Sequence, residues 1–487
     1  MWTQQGSKLV GTGTVGSAGQ GQSVSLSADG NTAIVGGYLD NNQIGAAWIF
    51  TRSGGVWTQQ GGKLIGTGAV GAAQQGQSVS LSADGNTAVV GGLFDNNNVG
   101  AAWVYARSGG VWTQQGSKLV GTGAVGSAQQ GHSVSLSADG NTALVSGPYD
   151  NASIGASWVF TRNGGVWTQQ GSKLGGTDAV GSPVYQGISV ALSGDGNTAV
   201  VGGSDDNNFI GAAWIFTRSG GLWTQQGSKL IANDTVYGQY GSQQGSAVAL
   251  SADGNTAISG GYADNSTVGA TWVYTRIGGV WTQQGSKFIG IGAVGNAQQG
   301  QSVALSSDGN TAIEAGPLDN NYIGAVWIFV RQVQPKMQVS PATNIAASGT
   351  HGKKFSPSSF DYQLSSVNGS VNYLISGIPN WLNASFTSGT ATSSPVTVTF
   401  SLSEVSHFGP GTYTATIAFT NTSNGQGNTT RTATLTVLPG KDDCEDGGWR
   451  NIPSPLGPFK NQGQCVSYFE HKVPDKQDDD DKQDDDH

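Results

Sequence analysis

Charge is scarce in this chain: only 11% of 487 residues are Asp, Glu, Lys or Arg, and the 22 bases are outnumbered by 31 acids. No stretch lays a basic track along a phosphate backbone, which argues against a nucleic-acid partner. No run of about 20 apolar residues exists to span a bilayer as a helix. Proline occurs 14 times, and the 78 glycines follow no third-residue period, which excludes collagen. Generic disorder is excluded as well, because 36% hydrophobic residues and 14 tryptophans demand a packed interior. A basic-then-apolar leader is also missing; the chain opens at Met1-Trp2 inside a repeat, so any secretion signal is expected to lie outside it.

What the sequence has in abundance is self-similarity. The string WTQQG begins at Trp2, Trp57, Trp112, Trp167, Trp223 and Trp281, at steps of 55, 55, 55, 56 and 58 residues. An independent Asp-Gly marker keeps nearly the same step at Asp29, Asp84, Asp139, Asp195, Asp253 and Asp308. Such a period is the mark of a solenoid, propeller or array. Within the first copy, SVSLS (23–27) alternates, Asp29-Gly30 signals a hairpin, and apolar runs resume at Thr32 and Ala46 before Val56-Trp57-Thr58-Gln59-Gln60. Four short strands per period predict one propeller blade per repeat. In Ala47-Trp48-Ile49-Phe50, side-chain alternation places Trp48 and Phe50 on one face and Ala47 and Ile49 on the other. Both faces are apolar, so each sheet must be covered on both sides. The last copy stops at residues 325–330 without a following WTQQG strand, which predicts that Trp2–Leu9 closes a six-bladed ring there, the alternative being further copies upstream in a ring of seven or more.

The phrase LSADGNTAIVGG, followed by an Asp-Asn loop and GAAWIF, resembles bacterial FG-GAP repeats of the integrin α-subunit type over about residues 1–331. Where that family has Phe-Gly, this chain has Gln20-Gly21, Gln75-Gly76 and Gln130-Gly131, and the Gly-Ala-Pro element survives only as Gly147-Pro148 and Gly316-Pro317. The resemblance implies an extracellular binding or adhesion propeller with calcium at inter-strand loops, although the integrin repeats are more densely acidic than these.

Composition changes after Arg331. Residues 335–440 alternate polar and apolar in VTVTFSL (396–402), YTATIAF (413–419) and TATLTV (432–437), which points to an immunoglobulin-like β-sandwich. IPNWL (378–382) with GTY (411–413) resembles BACON-type modules, implying an accessory extracellular domain. Residues 441–470 hold the only cysteines, Cys444 and Cys465; an isolated pair in so small a segment predicts a disulfide and an oxidising compartment. With His471 as the one nearby imidazole, the pair makes a poor zinc site. Residues 471–487 are expected to be a solvated acidic tail, and DDDDK (478–482) resembles a cleavable tag.

Candidate chemistry is confined to the repeats. The Asp-Gly aspartates serve turn geometry. A second aspartate heads an Asp-Asn loop in every copy, giving as candidate binding residues Asp40 and Asn41, Asp95 and Asn96, Asp150 and Asn151, Asp206 and Asn207, Asp264 and Asn265, and Asp319 and Asn320. Their six carboxylates are also the candidate calcium ligands, against the alternative of a plain Asx-turn. The mid-strand tryptophans read as core, whereas those beside Thr and Gln, led by Trp57, read as half exposed. His132 replaces Gln22, Gln77, Ile188, Ser246 and Gln301 of the other copies, and is expected on the surface; Glu314 is an acid that does not recur with the repeat. No catalytic residue is identified. The expected whole is all-β: a six-bladed propeller (1–334), an immunoglobulin-like sandwich and a short disulfide-bearing acidic tail. Its expected role is a secreted or surface-displayed, monomeric, non-catalytic scaffold for an extracellular protein or glycan. The alternatives are a multivalent lectin using the Asp-Asn loops and a polysaccharide-active enzyme, which would need a unique acidic pair in a cleft.

Overall fold

A computed structural model describes residues 3–472 except 237, 239, 333, 404 and 453–455; Trp2 and the acidic run from 473 onward lie outside the described residues. It divides into two units between Arg331 and Gln332.

In the first unit each 55-residue period becomes one antiparallel sheet. The first contains β1 (Gln20–Leu26), β2 (Thr32–Gly37), β3 (Ala46–Ser53) and β4 (Val56–Gln59), hydrogen-bonded in that order. The β1–β2 hairpin forms at Asp29-Gly30, where Gly30 takes φ 66°, and Asp29 Oδ1 accepts from Ser27 Oγ (2.5 Å) and Asn31 N (2.9 Å). Those bonds, the Ser27 hydroxyl foremost, hold the Asp29 carboxyl down at about 2. Four further sheets repeat this plan, each with four strands.

The period-two alternation decides the packing. Ile34, Ala47 and Ile49 of sheet one share a core with Val79, Leu81, Ala88, Val90, Trp103 and Tyr105 of sheet two, and the pattern recurs at successive junctions. Small residues let the layers close. A Cβ on Gly66 would stand 2.1 Å from the Trp103 ring, and one on Gly36 would stand 2.1 Å from the Gly76 carbonyl. Cross-links reinforce the stack, as in the backbone bonds Ala28 N to Ala83 O, Ala83 N to Ala138 O and Ala138 N to Gly194 O (each 2.9 Å).

The expected ring closure is not formed. The sixth sheet has three strands, Ser302–Leu305, Thr311–Gly316 and Ala325–Val330, and residues 3–9 form no strand beside it. Gln5 is instead held against sheet one, where its Oε1 accepts from Arg52 Nη1 (3.1 Å) and Trp57 Nε1 (3.2 Å). Five sheets are therefore complete and the sixth is open.

The second unit places two sheets around one apolar core containing Tyr362, Trp381, Phe400, Phe419 and Leu435. One sheet has four strands and the other six, and in the latter Ile345–Thr350 runs parallel to Thr429–Leu438. The predicted strands at 396–402, 413–419 and 432–437 all form, as Val396–Leu402, Gly411–Asn421 and Thr429–Leu438. Beyond them, a 3-10 turn (Lys441–Cys444) and a helix (Gln462–Lys472) are joined by the Cys444–Cys465 disulfide over a small core around Ile452. Closing a loop of this length contributes about 3 kcal/mol.

Candidate functional site: the asparagine turns

The Asp-Asn loops are not open loops. Each forms one tight left-handed turn: Asn41, Asn42 and Gln43 take φ 49°, 53° and 66°, and the same sign recurs in all six copies. Left-handed backbone crowds Cβ against the following carbonyl, and asparagine tolerates it best among residues with side chains. The third position nonetheless admits Ser153, Phe209, Thr267 and Tyr322, so the surroundings impose the conformation.

The imposing group is the aspartate itself. Asp40 is fully buried; its Oδ1 accepts from Val15 N (2.8 Å) and its Oδ2 binds Lys63 Nζ, from the strand extension that follows β4. Asp95–Lys118, Asp150–Lys173, Asp206–Lys229 and Asp264–Lys287 repeat the ion pair at 2.5 Å. Asp319 keeps the amide bond, from Val294 N at 2.6 Å, but has no lysine among the described residues. Five of the six candidate calcium carboxylates therefore serve as staples, with an ammonium where a cation would stand. Among the described residues no group of three or more His, Cys, Asp or Glu side chains is placed to hold a metal. The asparagines behave differently: Asn42, Asn96, Asn97 and Asn98 are exposed, while Asn41 is half-buried. Aspartate and asparagine, adjacent in sequence, thus separate into a buried anchor and a displayed amide.

Between the first two turns lies a groove of about 420 Å³, lined by Gln43, Val70, Phe94, Asn97 and Asn98 among others. The aromatic position in this groove is not constant. Its equivalents are Leu39, Phe94, Tyr149, Asp205, Ala263 and Leu318, so the six sites are not chemically alike.

Other candidates resolve into scaffold. Trp48, Trp103, Trp158, Trp214 and Trp272 are fully buried, as expected. Trp57 and its equivalents are mostly half-buried, but a guanidinium lies over each ring, from Arg52 (5.5 Å) through Arg276 over Trp281 (5.3 Å). A sugar stacking there would have to displace the arginine. His132, expected on the surface, has its Nδ1 buried without a partner, and burial lowers its pKa. Glu314 stands where other copies have Val35, Val90, Val145, Val201 and Ser259; only 1% exposed, it faces the fifth sheet and has neither carboxyl oxygen hydrogen-bonded. Burial pushes its pKa up to about 7.

No protein-family model matches the chain, and no curated protein matches its sequence. Among solved structures it is similar to a hydrazine synthase chain of Kuenenia stuttgartiensis, at 14% identity over 68% of this chain and 100% of that one, with a TM-score of 0.37. It is also similar to the periplasmic gluconolactonase of Pseudomonas aeruginosa, at 16% identity over 63% of this chain and 80% of that one, with a TM-score of 0.41. Superpositions this loose carry nothing about activity. Among the described residues, no helix is long and apolar enough to cross a membrane.

Proposed function

We propose that the repeat unit is a non-catalytic, extracellular binding scaffold of propeller type, which engages a protein or glycan through its row of asparagine turns. The observation that carries this reading is the division of labour in each turn: a buried aspartate fixes the backbone and leaves amides outside. Amides held on a rigid frame lose little entropy on binding, and repetition along the stack adds avidity. The resemblance to FG-GAP repeats and to BACON-type modules points the same way, and the disulfide suits an oxidising compartment.

A lectin is the second reading, favoured at one place. Phe94 beside Gln43, Asn97 and Asn98 combines an aromatic with amides, the pairing that recognises a sugar. Against the enzyme alternative stands Glu314, a non-recurring acid of the repeats that is buried between sheets rather than exposed in a cleft.

The test is binding of the full chain to glycan and extracellular-protein arrays, alongside a variant carrying Asn97→Gly and Asn98→Gly. Glycine keeps the left-handed turn and removes the amides. Loss of binding with unchanged melting supports the proposal. Binding that survives, or turnover of a polymer substrate, overturns it.

A further inference from the structure

The positions that vary from copy to copy beside the asparagine turns bring together an uncommon set of side chains across sheets three, four and five. Just before the turn aspartate stand Tyr149 in the third copy and Asp205 in the fourth, where the first, fifth and sixth have Leu39, Ala263 and Leu318. One residue earlier, the fifth copy has Tyr262 where the second has Leu93. The left-handed position leading into each inner strand is glutamine in sheets two, three, five and six, but Tyr185 in sheet four. The scaffold requires none of these four residues, since other copies fold with leucine, alanine or glutamine in their places.

The rings of Tyr149 and Tyr185 meet edge to face, with centroids 5.2 Å apart and planes at 61°, and so form an aromatic corner. Tyr185 takes φ 57°, as the glutamines do within a few degrees, so the direction in which its ring leaves the chain is fixed by the backbone. Asp205 is half-buried, and its Oδ1 accepts from Ser204 Oγ at 2.7 Å. Among the described residues no other group bonds this carboxylate, and it has no ion pair. Burial raises the Asp205 pKa against the Ser204 bond. Its charge reaches tyrosines on both sides. Burial, then Tyr185 and Asp205, raise the pKa of Tyr149; burial, then Asp205, raise that of Tyr262, opposed by the Gln243 amide. A partly desolvated carboxylate thus stands between two phenols, one oxygen unbonded and no cation beside it.

We infer that this cluster is a binding site for a primary ammonium, the group that a lysine side chain of a partner protein presents, with Asp205 meeting the charge and the Tyr149–Tyr185 corner receiving the alkyl stem. A carboxylate withdrawn from water without a counter-ion is costly, and an arriving cation relieves that cost. Tyrosine ring faces attract the same cation, more strongly as water is excluded. Because Oδ1 is engaged by Ser204, a single oxygen remains; this suits a point donor such as ammonium better than the fork of a guanidinium, which uses two. A quaternary ammonium has no N–H to give that oxygen. Calcium takes six to eight oxygen ligands, and among the described residues no group of three or more His, Cys, Asp or Glu side chains could hold it. The inference goes beyond the asparagine-turn reading: it needs none of the displayed amides and holds or fails separately.

The test is a saturation-transfer NMR titration of the full chain with butylammonium chloride, compared at constant ionic strength with tetramethylammonium chloride and with neutral butanol. Butylammonium should bind, N-acetyl-lysine amide should compete with it, and butanol should not bind. The variants Asp205→Ala, Tyr149→Leu and Tyr185→Gln each restore the residue of another copy, and unchanged melting verifies their folding. Should Asp205→Ala melt lower, Asp205→Asn keeps the shape and removes the charge. Loss of the Asp205 carboxylate should abolish binding, and Tyr149→Leu should weaken it about tenfold, the scale of a cation–π contact partly removed from water. Butylammonium binding that survives removal of the carboxylate, or butanol binding as tightly, overturns the inference. Tetramethylammonium binding more tightly than butylammonium overturns the assignment to lysine and places a methylated ammonium there instead.

Discussion

Glu314 makes the stability of the sixth sheet depend on pH in an unusual direction. Its carboxyl is buried against the fifth sheet with no hydrogen bond: the hydroxyl of Thr271 lies nearby without bonding it, and the Gly290 amide is already donated to Gln299. Burial raises the folded pKa from 4.5 to about 7. Below pH 4.5 the group is protonated in folded and unfolded chains alike, and the full contribution is present. As pH rises through this window the unfolded chain gives up its proton while the folded one retains it, so stability falls, and above about 7 the loss is complete. With 1.36 kcal/mol for each unit of pKa, the loss is about 3 kcal/mol. The assay is hydrogen exchange at Thr311–Gly316, with thermal melting from pH 4 to 8, on the wild type, Glu314→Gln and Glu314→Val. The Gln variant should have a flat profile across the window. The Val variant, which restores the residue of four other copies, should melt several degrees above wild type at pH 8. A Gln variant that keeps the wild-type slope would refute the reasoning, because the titrating group would then lie elsewhere.

His132 should act in the opposite direction. Its folded pKa is lowered by burial, so acidification protonates the unfolded chain first and stability falls below about pH 6.5; His132→Gln, the residue of three other copies, should remove that loss in acid melting curves. Lys118→Met should leave Asp95 buried and unpaired, destabilising by about 3 to 5 kcal/mol in denaturant titration, with Asp95→Asn in the same background recovering much of it. Millimolar calcium should leave the melting midpoint unchanged, because lysines hold the turn aspartates; an upward shift would show that a cation displaces them. Reduction of Cys444–Cys465 should loosen the C-terminal segment by about 3 kcal/mol and leave the repeat unit's melting untouched.

Much of this architecture was legible in one dimension. The 55-residue period, the Asp-Gly hairpins and the alternation in Ala47-Trp48-Ile49-Phe50 dictated four short strands with two apolar faces, because side-chain direction along a strand depends only on parity. The paired cysteines followed from their isolation in a small segment. The partners of the turn aspartates were not legible: Asp40 and Lys63 are 23 residues apart, and nothing local distinguishes a carboxylate facing solvent from one facing an ammonium in the next repeat. A signal did exist, since lysine recurs at Lys8, Lys63, Lys118, Lys173, Lys229 and Lys287 with the same period as the aspartates, although both sets are scarce. The same holds for His132 and Glu314, whose burial depends on which sheet lies opposite. Whether residues 3–9 join the sixth sheet was likewise beyond composition and pattern. Periodicity specifies that each face needs a partner, but which molecule or end supplies it depends on the angle accumulated from sheet to sheet, a quantity that exists only once the sheets have packed.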